Sequence, residues 1–138
     1  MKLTKNDINI ERINDVLSLN YETELFAEKN AIYLEEVGGL LALEAERNLI
    51  RLRGWYNFRD EYPRSNILAF CNEMNDEYIM LKITYHPAKG KDSACLMFHY
   101  DMPYASEIDL AQMIKAVAKF GDIARGIVNI FNTRYPGE

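Results

Sequence analysis

The sequence predicts an α+β fold in which a twisted antiparallel sheet packs against a long C-terminal helix. Apolar and polar residues alternate with the period of a strand in two regions, 31–56 and 79–101. Helical spacing of apolar residues appears before, between and after those regions. Because the connections between successive strands are short, the strands are expected to pair antiparallel. The predicted order of elements along the chain is α-β-β-β-α-β-β-α.

Composition favours an ordinary globular protein. With 138 residues, 49% of them hydrophobic and 27% charged, the chain is expected to fold as one domain, 1–138, without a metal, disulfide or cofactor. The net charge of −5 argues against a nucleic-acid partner. Residues 1–46 hold ten acidic groups against four basic ones. That half of the chain would suit a basic partner or simply form a solvated surface.

The sequence favours a reducing, cytoplasmic location. Its cysteines, Cys71 and Cys95, are too few for a disulfide framework and too far apart for a C-x-x-C ligand pair. The first residues lack the apolar core of a secretory signal, and no apolar stretch is long enough to span a membrane. Membrane association is therefore not expected.

A short helix with one narrow apolar face is predicted near the N-terminus. Thr4 or Asn6 would cap it, and its apolar stripe runs from Ile10 to Leu17. The segment after it, Tyr21 to Phe26, reads equally as a short edge strand or as a link to the sheet.

Three strands in a meander follow from Ala31 to Tyr56, with a tight turn at Gly38-Gly39 and a second turn at residues 46–48. In the third strand Arg51 and Arg53 share one face, where Glu35 and Glu44 of neighbouring strands could stand opposite them. A cross-strand charge ladder is the simpler interpretation. Anion binding by these arginines with Arg47, Arg59 and Arg64 stays open.

A second helix starts near Pro63 and Ser65. Its inner side is predicted to hold the apolar residues Ile67, Leu68, Cys71, Met74 and Tyr78. A hairpin follows, with alternation from Ile79 to Tyr85 and again from Leu96 to Tyr100. For both apolar sets to face the core, Tyr85 must pair with Leu96 and Ile83 with Phe98.

The last helix, predicted over residues 107–132 and capped by Ser106 with Asp109, carries two apolar rows where one would be enough to pack it onto a sheet. One row is Leu110, Ile114, Val117, Gly121, Ala124, Val128 and Phe131; the other is Met113, Ala116, Phe120, Ile123, Ile127 and Ile130. Such a helix must be covered by its own domain or by another chain. The predicted contact residues are Phe120, Ile123, Ile127, Ile130 and the aromatic cluster Trp55, Tyr56 and Phe58.

No catalytic or metal-binding group is predicted. Cys95 would lie opposite His86 in the deduced register, whereas His99 would lie opposite Lys82, roughly 13 Å from His86 along the sheet. A cysteine and a histidine alone lack the third group that orients a base. Ordinary strand positions are the simpler interpretation of all three residues.

The chain resembles the YbjN family of candidate bacterial sensory transduction regulators. The resemblance rests on the order of elements, the run Leu49–Tyr56, the helix phrase Phe70–Asn75 and the closing segment Phe131–Pro136. It implies a fold similar to type III secretion chaperones and a regulatory or protein-binding role without catalysis. Asn72 and Asn75 match the helix phrase and are expected to act as surface or helix-end hydrogen-bonding groups, which makes them further candidates for protein contact.

The leading functional hypothesis is therefore a non-enzymatic module that binds another protein, or itself as a homodimer. Apolar surface of the C-terminal helix and the adjoining sheet or second helix would make the contact. One alternative is a chaperone for a secreted protein, which would bind a disordered segment. The other is an enzyme that uses Cys95 and His86.

Overall fold

A six-stranded antiparallel sheet forms the centre of the computed structural model, which describes residues 2–136. Along the chain the strands of the structure are β1 Lys2–Thr4, β2 Thr23–Phe26, β3 Ala31–Leu34, β4 Gly39–Glu44, β5 Leu49–Phe58, β6 Lys82–His86, β7 Ala94–Pro103 and β8 Glu107–Asp109. The main sheet has the order β2-β3-β4-β5-β7-β6, and β1 pairs separately with β8. The undecided segment after the first helix is thus the edge strand β2.

Three helices cover one face of this sheet: α1 Ile10–Leu17, α2 Arg64–Glu77 and α3 Leu110–Arg134. Alternate strand residues point toward them and join one buried cluster, which includes Ile32, Leu41, Leu52 and Phe98. The α+β class and the predicted order of the main elements are confirmed. The small β1–β8 ladder was not predicted.

The register of the β6–β7 hairpin is confirmed. Tyr85 pairs with Leu96 and Ile83 with Phe98, so each apolar set faces the helices. Strand β6 begins at Lys82 and is therefore shorter than the predicted alternation, which starts at Ile79. Ile79 lies before it and is 96% exposed.

The N-terminal caps of α1 and α3 differ from the prediction. The side chain of Asn9, not Thr4 or Asn6, accepts a hydrogen bond from the Arg12 amide at 2.9 Å and starts α1. Asp109 accepts from the Gln112 amide at 3.3 Å and starts α3, so Ser106 is not the cap. Residues 107–109 are extended because they pair with β1, and the helix therefore begins three positions later than predicted.

Helix α2 presents a slightly different face from the predicted one. Phe70 is 2% exposed and belongs to the core, whereas Leu68 is 45% exposed. Ile67, Cys71 and Met74 are buried as predicted. Phe70 takes the inner position because its ring packs edge-on against Phe131 of α3, with centroids 5.2 Å apart.

Three glycines have distinct roles in the β3–β4 turn, in the pairing of β4 with β5 and in the seating of α3 on the sheet. Gly38 adopts φ +70 in the β3–β4 turn, as predicted for that turn, while Gly39 is needed because a Cβ there would collide with the carbonyl oxygen of Arg53. Gly54 pairs with Gly39 across the strands. A Cβ on Gly54 would lie 3.4 Å from the Phe120 ring, so the bare backbone forms the seat for that ring.

The subunit itself buries most of both apolar rows of α3. Phe120 is 1% exposed and Ile127 is 0% exposed, so these two predicted contact residues are core residues and offer no surface to a partner. Ile123 and Ile130 are half-buried and pack against the same core. The expectation that α3 needs a second chain to cover it is corrected, because α1, α2 and the sheet join one core with it.

Replacing Phe120 tests this assignment. Phe120→Ala is expected to lower the free energy of unfolding by about 3–5 kcal/mol, since it leaves a cavity above Gly54. Equilibrium urea denaturation measures the loss. Ala118→Ser, an exposed change on the same helix, is the control and should shift stability by no more than about 0.5 kcal/mol. Equal stabilities of the two variants would contradict the core position of Phe120.

Candidate protein-contact surface

The face of the sheet opposite the helices is bare. Side chains that alternate with the core residues point outward there, among them Tyr33, Leu40, Arg53, Trp55, Met97 and His99, all of which are only partly buried or exposed. An antiparallel sheet with one packed and one solvated face is a common arrangement. What distinguishes this face is its apolar content near β2 and β3.

Four residues, Phe26, Tyr33, Leu40 and Trp55, form an apolar patch on this face, called here the Trp55 patch. They line a shallow cleft of about 500 Å³. The Trp55 side chain is 39% exposed, and its ring lies 6.4 Å from that of Tyr33, tilted by 37°. An exposed aromatic pair on a rigid strand scaffold is typical of protein contact surfaces.

Strand alternation separates Trp55 from the aromatic residues with which it was grouped. Tyr56 and Phe58 lie close to the helices instead: the Tyr56 hydroxyl donates to Asn132 Oδ1 at 2.9 Å, and the Phe58 ring lies 4.8 Å from that of Phe131. The predicted aromatic cluster is therefore corrected. Only Trp55 of these three residues lies on the open face.

The arginines of β5 form the predicted charge ladder with one change of partner. Arg51 Nη1 lies 2.8 Å from Glu44 Oε1, as the sequence suggested. Arg53 Nη1 lies 2.7 Å from Asp101 Oδ1 on β7, and Glu35 takes no part. These half-exposed pairs add little stability. They do neutralise both arginines, which weakens the case for an anion site.

An acidic group of three residues, Glu22, Glu24 and Glu35, borders the Trp55 patch and is called here the acidic rim. A second cleft, about 660 Å³ in volume, is lined by these residues together with Thr23 and Tyr33. Tyr33 and Glu24 line both clefts, so the rim and the patch are contiguous. The neighbouring Glu22 carboxyl raises the pKa of Glu35, through a hydrogen bond and through charge repulsion.

The two histidines come closer together than their register suggests. His86 pairs with Cys95 and His99 with Lys82, as predicted. Their rings nevertheless converge on Thr84, whose Oγ1 is 2.9 Å from His86 Nε2 and 3.0 Å from His99 Nε2. A hydroxyl has one proton, so at most one imidazole can accept from it and at least one must donate its Nε2 proton to the oxygen.

The electrostatic setting of these groups does not favour nucleophilic chemistry. Partial burial raises the pKa of the Cys95 thiol, which lowers the fraction present as reactive thiolate. Burial also raises the pKa of Cys71, in the core, to about 11. Over residues 2–136 the structure brings together no three acidic, cysteine or histidine side chains in a geometry that could hold a metal ion.

Asn75 has a structural role that the sequence did not reveal. Its amide donates to the Ile83 carbonyl at 3.0 Å and accepts from the Ile83 amide at 2.7 Å. The side chain thereby mimics the peptide group of a further strand at the free edge of β6. Asn72, its companion in the helix phrase, is exposed on α2.

Comparison with known proteins supports the fold and nothing finer. No protein-family model matches the sequence, and no curated protein matches it significantly. Among solved structures the chain is similar to the crystal structure of YbjN from E. coli, a candidate transcription regulator, with a TM-score of 0.76 over 92% of this chain and 93% of that one. The fold is YbjN-like. The identity of 11% extends the likeness no further than the fold.

The resemblance to YbjN drawn from the sequence is thus confirmed at the level of the fold. None of the helices within residues 2–136 combines the length and the apolar character needed to cross a membrane.

The double hydrogen bond of Asn75 predicts a position-specific loss of stability. Asn75→Ala is expected to cost about 1–3 kcal/mol, because it leaves the partly buried amide and carbonyl of Ile83 without partners. Asn72→Ala, on the same helix, is the matched control and should change stability by about 0.5 kcal/mol or less. Thermal and urea unfolding would measure both, and equal losses would contradict the structural role.

His99 predicts a pH dependence of stability. Burial, followed by the charges of Arg53 and Lys82, lowers its pKa below the usual 6.5, with Asp101 opposing. The unfolded chain therefore binds more protons than the folded one as pH falls through 6.5, and folding stability falls with it. His99→Gln is expected to flatten this decline between about pH 7.5 and pH 5.5. Unfolding free energies that fall equally in both proteins would refute the prediction.

Proposed function

We propose that the protein is a non-enzymatic module that binds another protein through the Trp55 patch. The observation that carries the proposal is the exposed Trp55 ring beside the partly buried Tyr33 ring, on a sheet face that none of the three helices covers. Aromatic side chains in a partly desolvated pocket supply a large share of binding energy at protein interfaces.

The rest of the architecture supports this surface. The patch is built on four adjacent strands, β2, β3, β4 and β5, whose register is fixed by hydrogen bonding and by the core beneath them. A rigid surface loses little conformational freedom when a partner docks, and so more of the contact energy appears as affinity. Helix α3 acts in this proposal as the support of the sheet, not as the contact itself.

The same considerations favour a regulatory role over catalysis. The raised pKa of Cys95 disfavours its use as a nucleophile, and the fold resembles that of a candidate transcription regulator. Because the chain has a net charge of −5, we propose that any regulatory effect works through a protein partner in the cytoplasm, not through nucleic acid. The partner is another protein or a second copy of this chain.

Loss of partners from a Trp55 variant tests the proposal. Trp55→Ser is expected to reduce capture of the specific partner from host lysate by about tenfold or more, as for a hot-spot residue. Leu19→Ser is the control, since Leu19 is 81% exposed and lies outside the patch. Quantitative mass spectrometry measures capture, and sedimentation velocity of both variants tests self-association.

Circular dichroism should show that both variants keep the fold. If the Trp55→Ser protein retains every captured protein and the same sedimentation behaviour as the control, the Trp55 patch is not the contact surface. A protein lost from both variants alike would not count as a partner of the patch.

A further inference from the structure

We propose that the segment bound at the Trp55 patch is extended and basic, with a lysine or arginine two residues from a bulky apolar side chain. This inference rests on the proposed function and names the chemistry of the partner. The patch would take the apolar side chain, and the acidic rim would take the cation.

The first argument is charge complementarity beside the apolar surface. Glu22, Glu24 and Glu35 are exposed, and no ion pair formed among residues 2–136 includes any of them. Elsewhere on the open face the chain neutralises its own charges, as in the pair of Arg53 with Asp101. Lys29 of the subunit lines the cleft of the patch, but no ion pair among residues 2–136 joins it to the rim, so the rim carboxylates can take a cation from a partner.

The second argument is that the rim holds like charges against each other. The amide of Glu35 donates to the carbonyl of Glu22 at 3.3 Å, which places the two residues opposite each other in the continuation of β2 and β3. Like charges at directly opposed strand positions lower stability. A lysine or arginine from a partner would remove this repulsion and would gain two carboxylate acceptors at once.

The third argument concerns the shape of the partner. Strand β2 is the end strand of the sheet, so its outer edge has no neighbouring strand among residues 2–136. An extended segment can pair with such an edge and direct alternate side chains onto the open face. On β2 itself Glu24 and Phe26 occupy alternate positions of that face, beside Tyr33 and Ala31 of β3. A partner strand in register would thus place a basic residue beside Glu24 and, two positions along, an apolar residue beside Phe26, the member of the Trp55 patch that lies on this edge strand.

A second copy of this chain fits less well. It would bring the same acidic rim and the same net charge of −5 to the contact. A basic segment meets no such repulsion, and its association should be faster at low ionic strength. The charge distribution therefore favours a basic partner strand over a homodimer at this surface.

Two labelled synthetic peptides test the proposal with the full chain. The first has the sequence Thr-Lys-Val-Phe-Thr-Lys-Val-Phe, and its twin has glutamate in place of both lysines. Because the chain has one tryptophan, its emission reports directly on the patch. The lysine peptide is expected to shift Trp55 emission and to bind about tenfold or more tightly than its twin at low salt.

Matched charge variants then test the rim. The double variant Glu22→Gln with Glu35→Gln is expected to bind the lysine peptide about fivefold or more weakly by fluorescence anisotropy, while its thermal stability stays equal to wild type or rises. Asp76→Asn with Glu77→Gln makes the same change of net charge on α2, which packs against β6 at the far edge of the sheet. This control is expected to bind like wild type.

The outcomes separate the two proposals. If both peptides bind equally and Trp55→Ser weakens both, the patch is a contact surface without a preference for a basic partner, and the inference is overturned. If the lysine peptide does not bind, the inference is overturned. This holds even if capture of a protein from lysate depends on Trp55, in which case the proposed function remains. Equal capture by Trp55→Ser and wild type removes the proposed function itself.

Discussion

The close approach of α3 to the sheet is the constraint on which the rest of the structure depends. Phe120 rests on the bare backbone of Gly54, and Phe131 at the other end of the helix packs among Phe58 and Phe70. This 25-residue helix shares one side of the sheet with α1 and α2, and all three join the same core. The opposite side of the sheet then has no helix, and the side chains on that side are accessible from outside the subunit.

Much of this fold follows from periodicity in the sequence. Alternation with period two fixed the register of Ile83 with Phe98, since a slip by one residue would turn every apolar side chain outward. The β1–β8 ladder could not be predicted in this way. Its strands have three residues each and lie far apart in the sequence, and alternation over three residues is too short to indicate a strand. The same ladder explains why Asp109 caps α3 in place of Ser106.

The candidate surface was only partly predictable. Trp55 stood out as an aromatic residue beside arginines, but grouping it with Tyr56 overlooked the alternation of the strand. Phe70 is missing from the predicted inner side of α2. In the structure the Phe70 ring packs on Phe131 and so helps to cover α3. The directions of long side chains could not be predicted from the register either. His86 and His99 are far apart along the strands, but both rings contact Thr84.

The two ends of the sheet differ in a way that limits assembly. At β6 the amide of Asn75 occupies both hydrogen-bonding groups of Ile83, so a strand arriving there would first have to displace a side chain. At β2, the other end strand, no side chain among residues 2–136 occupies the backbone groups of the outer edge in this way. Strand addition is therefore opposed at β6 and open at β2. A molecule built in this way is protected from the open-ended stacking that turns exposed sheets into fibrils.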